Sequence, residues 1–512
     1  VSTITQVTST DLIAVLPLLV LAVTGMVVLM WDAFEKKASR IPLTIAVIGS
    51  LGAIAAAVCN IDHTGRAFRG MLLDSTYGNF YAIIFSVAAI LAVLLAERYL
   101  KDEEVVIGEF AGLVLFAACG MVMLASAVDL VVTFLGLETM SIAFYVMAGL
   151  FRKRTRSNEA ALKYFLLGSF SAGFFLYGIA LLYGSFGSTN LDLMHRLLTN
   201  PVDQARILGT PIFWMGTAML LVGFAFKIAA FPFHQWAPDV YDGAPTVVSG
   251  FMSTAGKAGA FSALVLVFNM AFAPIASNAA AANKLQLILC LLAVGSMIYG
   301  NVTALSQSNV KRMLAYSSIA HAGYLLLGVA TLNAEGSRAV AVYLTVYTLM
   351  QIGAFGVVAH IEKEQGGGLD LKDYAGLARR KPMLAFVMTI MMLSLAGIPP
   401  FGGFFGKYYL FASTIRAGLT PFAIVGVLAS LVSVYFYLRL IVLMYFREQG
   451  DTAYGTEIGH VSITPVASGS TVAIAGTGGA WAALILATVG LLVLGVIPAI
   501  MTGVVQNFFV QP

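Results

Sequence analysis

The run Gly397, Ile398, Pro399, Pro400, Phe401, Gly402, Gly403, Phe404, Phe405, Gly406, Lys407 lies inside an apolar stretch extending from about 382 to 412. A proline inside a helix removes a backbone donor and its ring clashes with the preceding turn, at a cost of about 3 kcal/mol. Two prolines in sequence therefore interrupt the helix that this stretch would otherwise form. In hydrocarbon such an interruption is tolerated only where the freed backbone groups meet protein or a wet cavity, and here a lysine follows directly. The same combination occurs earlier, in Gly223, Phe224, Ala225, Phe226, Lys227, Ile228, Ala229, Ala230, Phe231, Pro232. Broken helices at corresponding places of two halves point to a transporter assembled from repeats, with its polar groups near the midplane.

The remainder of the chain agrees with a membrane setting. Hydrophobic residues make up 59% and charged residues 11% of 512 positions, with 50 glycines, a composition of polytopic helical proteins rather than soluble domains. A formal charge of +4, with no basic run interleaved with aromatics, speaks against a nucleic-acid partner. Apolar runs of bilayer length lie near 12–31, 42–59, 79–97, 110–127, 130–150, 160–184, 208–232, 245–271, 285–305, 313–332, 338–360, 382–412, 418–446 and 478–503. The expected fold is an all-α membrane protein of about fourteen spans. It divides into three N-terminal helices (1–109), a first five-helix repeat (110–271), a second, inverted repeat (285–446) and a linker with a last helix (447–512). Lysine and arginine concentrate in the odd-numbered connections, including Arg152, Lys153, Arg154, Arg156 and Arg379, Arg380, Lys381. The positive-inside rule places those connections in the cytoplasm and both termini outside. The first apolar run is preceded by a polar decapeptide without the features of a cleaved signal, so the first helix is expected to be retained. Asp451 to about Gly476 is rich in Gly, Ser and Thr and reads as a connector.

Against this apolar background the ionisable residues stand out. Lys163, Lys227, Lys257 and Lys407, with Glu138, fall inside the spans, where each charge costs about 2.5 to 3.5 kcal/mol on insertion scales, so they mark a path for charge. Glu138 lies in the middle of the fifth span, and Lys227 is the cation expected to pair with it. Lys257 continues the row on the eighth span and Lys407 ends it on the twelfth. His321, mid-span in the tenth, is either a satisfied hydrogen-bonding group or a relay between two lysines. Lys163 near the start of the sixth span and Arg439 near the inner end of the thirteenth have the alternative of snorkelling to the surface. Cys59, Cys119 and Cys290 occur singly, without metal or iron–sulfur spacing, and read as packing residues.

The run from Phe226 through Trp236, Asp239, Tyr241 and Asp242 to Ser249 resembles the seventh-to-eighth helix signature of the antiporter-like subunits of respiratory complex I. The flanks of Glu138 and the stretch Asn158, Glu159, Ala160 through Leu162, Lys163, Tyr164, Phe165 agree, and the resemblance spans helices four to thirteen. It is strongest to the subunit N type: the M type has glutamate where this chain has Lys407, and the L type has a long lateral helix after the last span. The resemblance implies a proton path through Glu138, Lys227, Lys257 and Lys407, with the family's sixth-helix lysine at Lys163. It further implies a multi-pass protein of the bacterial cytoplasmic membrane, partnered by the other membrane and peripheral subunits of the complex. Quinone, FMN and iron–sulfur clusters would reside in those partners. This chain, lacking a Gly-rich dinucleotide loop after a strand and any cysteine cluster, would hold no redox cofactor. The competing reading is a stand-alone or Mrp-type cation/proton antiporter, which would need no redox partner.

Overall fold

The computed structural model describes residues 8–34, 40–100, 105–365, 369–447 and 478–506; the connector Asp451 to Gly476 lies outside them. The described chain is nearly all helix. Among the described residues, twelve helices are long and apolar enough to cross a membrane, or thirteen when the pair Pro201–Leu208 and Pro211–Lys227, bent by 74°, is taken as one span. Fourteen apolar stretches were expected, and the difference has a simple geometric origin. The twelfth stretch is two helices, Pro382–Ala396 and Gly402–Arg416, of 15 residues each; at 1.5 Å per residue neither reaches the roughly 30 Å of a hydrocarbon core.

Both interruptions fall at the prolines. The helix ending at Lys227 gives way to residues 228–235 before Trp236–Gly243, and the other break covers residues 397–401. At the second break, Gly397 takes a left-handed φ of 82°. Its N–H bonds Ser394 O, and that of Ile398 bonds Leu393 O, the double closure in which glycine serves because it carries no Cβ. Close approach continues at Gly403, where a Cβ would lie 1.9 Å from Ser394 O. At the first break, Trp236 Nε1 donates to Phe226 O at 2.9 Å, and Phe231 N–H donates to Ser296 Oγ at 2.9 Å. Side chains thus meet backbone groups that the lost helical turn leaves unpaired.

The helices sort by depth in the bundle. Thr246–Ala271 and Val310–Ala330 are buried over their whole hydrophobic windows, and Ala334–Glu362 over 89%. Leu16–Phe34, Thr155–Phe186 and Thr420–Phe446 are only 22 to 33% buried and turn large apolar side chains outward. Helices apolar on every side occupy the centre, as expected where both faces meet protein. The eighth stretch also departs from regular geometry. It is π-helical over Met252–Gly256 and again over Leu266–Ala271, and such wide turns, frequent at functional sites, flank the segment that starts with Lys257.

Two features outside the spans were not anticipated from the sequence. A two-stranded antiparallel hairpin, Gly65–Ala67 with Leu72–Asp74, precedes the third span. Two short helices, Leu191–Thr199 and Pro201–Leu208, precede the seventh. The hairpin turns through Phe68, Arg69 and Gly70, all with positive φ, a conformation that residue types other than glycine signal poorly.

Candidate functional site

Lys227 ends its helix in a pocket of hydroxyls and rings. Nζ donates to Ser141 Oγ at 2.7 Å and to Tyr145 OH at 2.9 Å, and it lies 5.1 Å from the Tyr145 ring centroid and 5.9 Å from that of Tyr164. Ser141 stands one turn after Glu138 on the helix Leu130–Ala148. The expected ion pair between Glu138 and Lys227 is not formed. Glu138 is within electrostatic reach of the lysine, but its buried Oε1 has no hydrogen-bond partner and Ser141 and Tyr145 occupy the ammonium. A helix turn separates the two side chains along the wall, so hydroxyls at i+3 and i+7 meet Lys227 first.

Lys257 is 2% exposed. Its Nζ donates to the carbonyl of Ser318 and, at 2.6 Å, to Ser318 Oγ; the ring of Tyr347 lies 5.7 Å away. One turn beyond Ser318, His321 uses both ring nitrogens. Nδ1 bonds the hydroxyl of Tyr343, and Nε2 lies 3.0 Å from Tyr437 OH, which itself bonds Ser317 Oγ at 2.5 Å. Tyr324 meets the imidazole edge to face at 5.4 Å, and Lys407 Nζ lies 5.1 Å from the same Tyr324 ring. His321 is thus within electrostatic reach of both lysines.

Lys407, 4% exposed, closes the second break. Its Nζ lies 2.9 Å from Leu395 O, 3.2 Å from Ala396 O and 2.8 Å from Ser430 Oγ. The Gly397 turn leaves the carbonyls of Leu395 and Ala396 unpaired at the negative end of the helix Pro382–Ala396, and the ammonium fills both. A largely apolar cavity of about 650 Å³ reaches Lys407 and Ser430 between Gly402–Arg416 and Thr420–Phe446.

Lys163 stands apart. Its side chain is 42% exposed and pairs with Glu159 at 2.7 Å and with Asp239 at 3.1 Å; Arg312 joins Asp239 at 2.9 Å, around a cavity of about 210 Å³. Arg439 does not simply snorkel: its guanidinium donates to Leu305 O at 3.0 Å and Gln307 O at 2.5 Å, capping the end of Ala279–Leu305. The sequence reading missed Lys311, which is 1% exposed; beside Arg312 it looks like a flank of the tenth span. It also missed the hydroxyl partners, because serines and tyrosines are scattered through every span and helix pairing alone selects among them.

The apolar helices, two of them broken beside a lysine, make this a polytopic membrane protein in which the ammonium groups of Lys227, Lys257 and Lys407 are met by hydroxyls and carbonyls in place of carboxylates. The family model of NADH:quinone oxidoreductase/Mrp antiporter membrane subunits matches residues 127–433. NADH-quinone oxidoreductase subunit N of Trichlorobacter lovleyi is 42% identical over 85% of this chain and 88% of its own. A chain of respiratory complex I from Thermus thermophilus superposes with a TM-score of 0.72 at 34% identity, covering 95% of this chain and 98% of that one. A chain of the Mrp complex from Dietzia gives 0.79 at 20% identity, over 98% of each, and shares the fold. This chain belongs to the family of antiporter-like membrane subunits represented by NADH-quinone oxidoreductase subunit N.

Proposed function

We propose that this chain is a proton-translocating membrane subunit of an NADH:quinone oxidoreductase, and that Glu138, Lys227, Lys257, His321 and Lys407 carry the proton. One observation carries the reading. Lys257 and Lys407 are buried, and among the described residues neither forms an ion pair. An uncompensated ammonium in a low-dielectric interior is expensive, so both sites favour a group that can give its proton up. His321, hydrogen-bonded at both nitrogens, lies between them as the natural intermediate.

In this scheme the charge of Glu138 acts on Lys227 across the Ser141 and Tyr145 hydroxyls. Its approach holds the ammonium, and its withdrawal or neutralisation releases the proton inward. Lys257, held by Ser318, passes a proton to His321, and His321 passes one toward Lys407. Release then proceeds past Ser430. Moving each charge against the membrane potential costs about 2.3 kcal/mol per 100 mV, work that redox chemistry in partner subunits would supply. The finer organisation belongs to the same proposal: fourteen spans, inverted repeats broken at helices seven and twelve, and both termini outside the bacterial cytoplasmic membrane. The chain would be an enzyme only as part of the complex, with FMN, iron–sulfur clusters and quinone held by its partners and Lys163 serving at the edge of the path.

The test is Lys227→Arg in the intact complex reconstituted in vesicles. Arginine can donate to Ser141 and Tyr145 but stays protonated, so proton pumping and coupled quinone reduction should both fall. Pumping equal to the parent would overturn the relay. A stand-alone antiporter, the reading that the Mrp-like fold keeps in view, would instead migrate alone on a native gel and exchange cations without a redox partner.

A further inference from the structure

A second set of buried charged groups lies on the side of the bundle that holds the connections after spans five, seven, nine and eleven. Lys311 Nζ donates to Ala244 O at 2.8 Å and forms no ion pair among the described residues. The charged groups facing it are Glu362, Asp242, Arg154 and Arg156. Glu362, with 13% of its side chain exposed and Arg154 4.0 Å away, accepts from Tyr99 OH at 2.8 Å and from the hydroxyl of Thr246.

Lys311 and Ser318 are seven residues apart on Val310–Ala330, two turns along one helix face and about 10 Å apart. The turn between them is touched by Gln351, whose Nε2 donates to Leu314 O at 3.2 Å. Gln351 is fully buried, and its Oε1 has no hydrogen-bond partner. A buried amide oxygen left without a donor is costly unless a water serves it, and this one lies one turn along its helix from Tyr347, the ring beside Lys257.

We propose that Glu362 and Lys311 form the mouth of a proton-uptake branch that reaches Lys257 by way of Gln351 and Ser318. The proposal rests on the proton-relay reading above. Glu362, with a small part of its side chain exposed, draws the proton in. The Lys311 amine accepts it, and a water held by Gln351 Oε1 carries it to the Ser318 hydroxyl, which passes a proton to the Lys257 amine. Each step moves one proton between lone pairs, and no other bond changes. Gln351 is a positioning residue, while Lys311 takes and releases the proton itself.

The experiment uses the whole complex in vesicles and measures the rate of proton pumping driven by quinone reduction, with assembly followed on native gels. Lys311→Arg keeps the positive charge and the bond to Ala244 but cannot release its proton, and Gln351→Leu keeps the volume and removes the amide. Both variants should assemble, with pumping lower by about a hundredfold for Lys311→Arg, the scale of one lost proton-transfer group, and lower to a smaller extent for Gln351→Leu. Pumping within about twofold of the parent in either variant overturns the branch. Lys257→Ala separates the two readings. If it abolishes pumping while Lys311→Arg does not, the branch alone fails; if it leaves pumping intact, the relay itself fails. Should Gln351→Leu not assemble, Gln351→Met decides by the same measurement.

Discussion

His321 shows how much of a buried residue's behaviour is set by its partners. Tyr437 bridges His321 Nε2 and Ser317 Oγ, so Tyr437→Phe leaves two buried polar atoms with one partner fewer, each at a cost of about 1–3 kcal/mol. The complex carrying it should melt at lower temperature and pump more slowly. Tyr435→Phe, at a side chain 63% exposed, should change neither, and equal effects of the two would argue against a role for the Tyr437 hydroxyl. Glu138→Gln keeps the size and removes the charge. Because no direct pair with Lys227 exists, its expected signature is loss of pumping without loss of thermal stability, read on the same preparation. A large drop in melting temperature would mean that Glu138 serves as structure.

At the level of the element, the second break ties backbone geometry to chemistry. Gly397 and Gly418 both adopt left-handed φ, 82° and 79°, and alanine at either should cost about 1 kcal/mol through the backbone. A Cβ at Gly397 would meet Lys407 Cδ at 3.0 Å, whereas at Gly418 it meets nothing within 4 Å. Both substitutions should therefore lower the melting temperature similarly, but only Gly397→Ala should reduce pumping, as followed by vesicle acidification. Gly403→Ala is more severe, because the new methyl would press on the Ser394 carbonyl, which is backbone and cannot swing away. That variant should fail to assemble on native gels. The prolines made both interruptions legible in the sequence. What fills them was not legible, since Trp236 reaches Phe226 O and Lys407 reaches Leu395 O only after the chain has folded back on itself.

At the scale of the whole molecule, charged contacts gather toward the two ends of the bundle. Around the hairpin, Arg66 Nε lies 2.6 Å from Asp192, in a pair that is partly exposed on both sides. Such surface pairs contribute about 0–1 kcal/mol, so Asp192→Asn should leave pumping and stability unchanged, a control for the central substitutions. The weakly buried outer helices should remain covered by lipid or neighbouring subunits. The sequence alone indicated the membrane setting, most of the long apolar helices and the places where two stretches break, because composition, run length and proline act locally along the chain. It also singled out Glu138, Lys227, Lys257, His321 and Lys407, since ionisable residues are rare in apolar runs. Folding chose their partners. Lys227 met Ser141 and Tyr145 ahead of Glu138, Lys407 met two unpaired carbonyls, and Lys311, ordinary in its local sequence, became one of the most deeply buried charges. Those outcomes depend on which helix faces pack together, and contacts between residues tens to hundreds of positions apart leave no local trace in composition or periodicity.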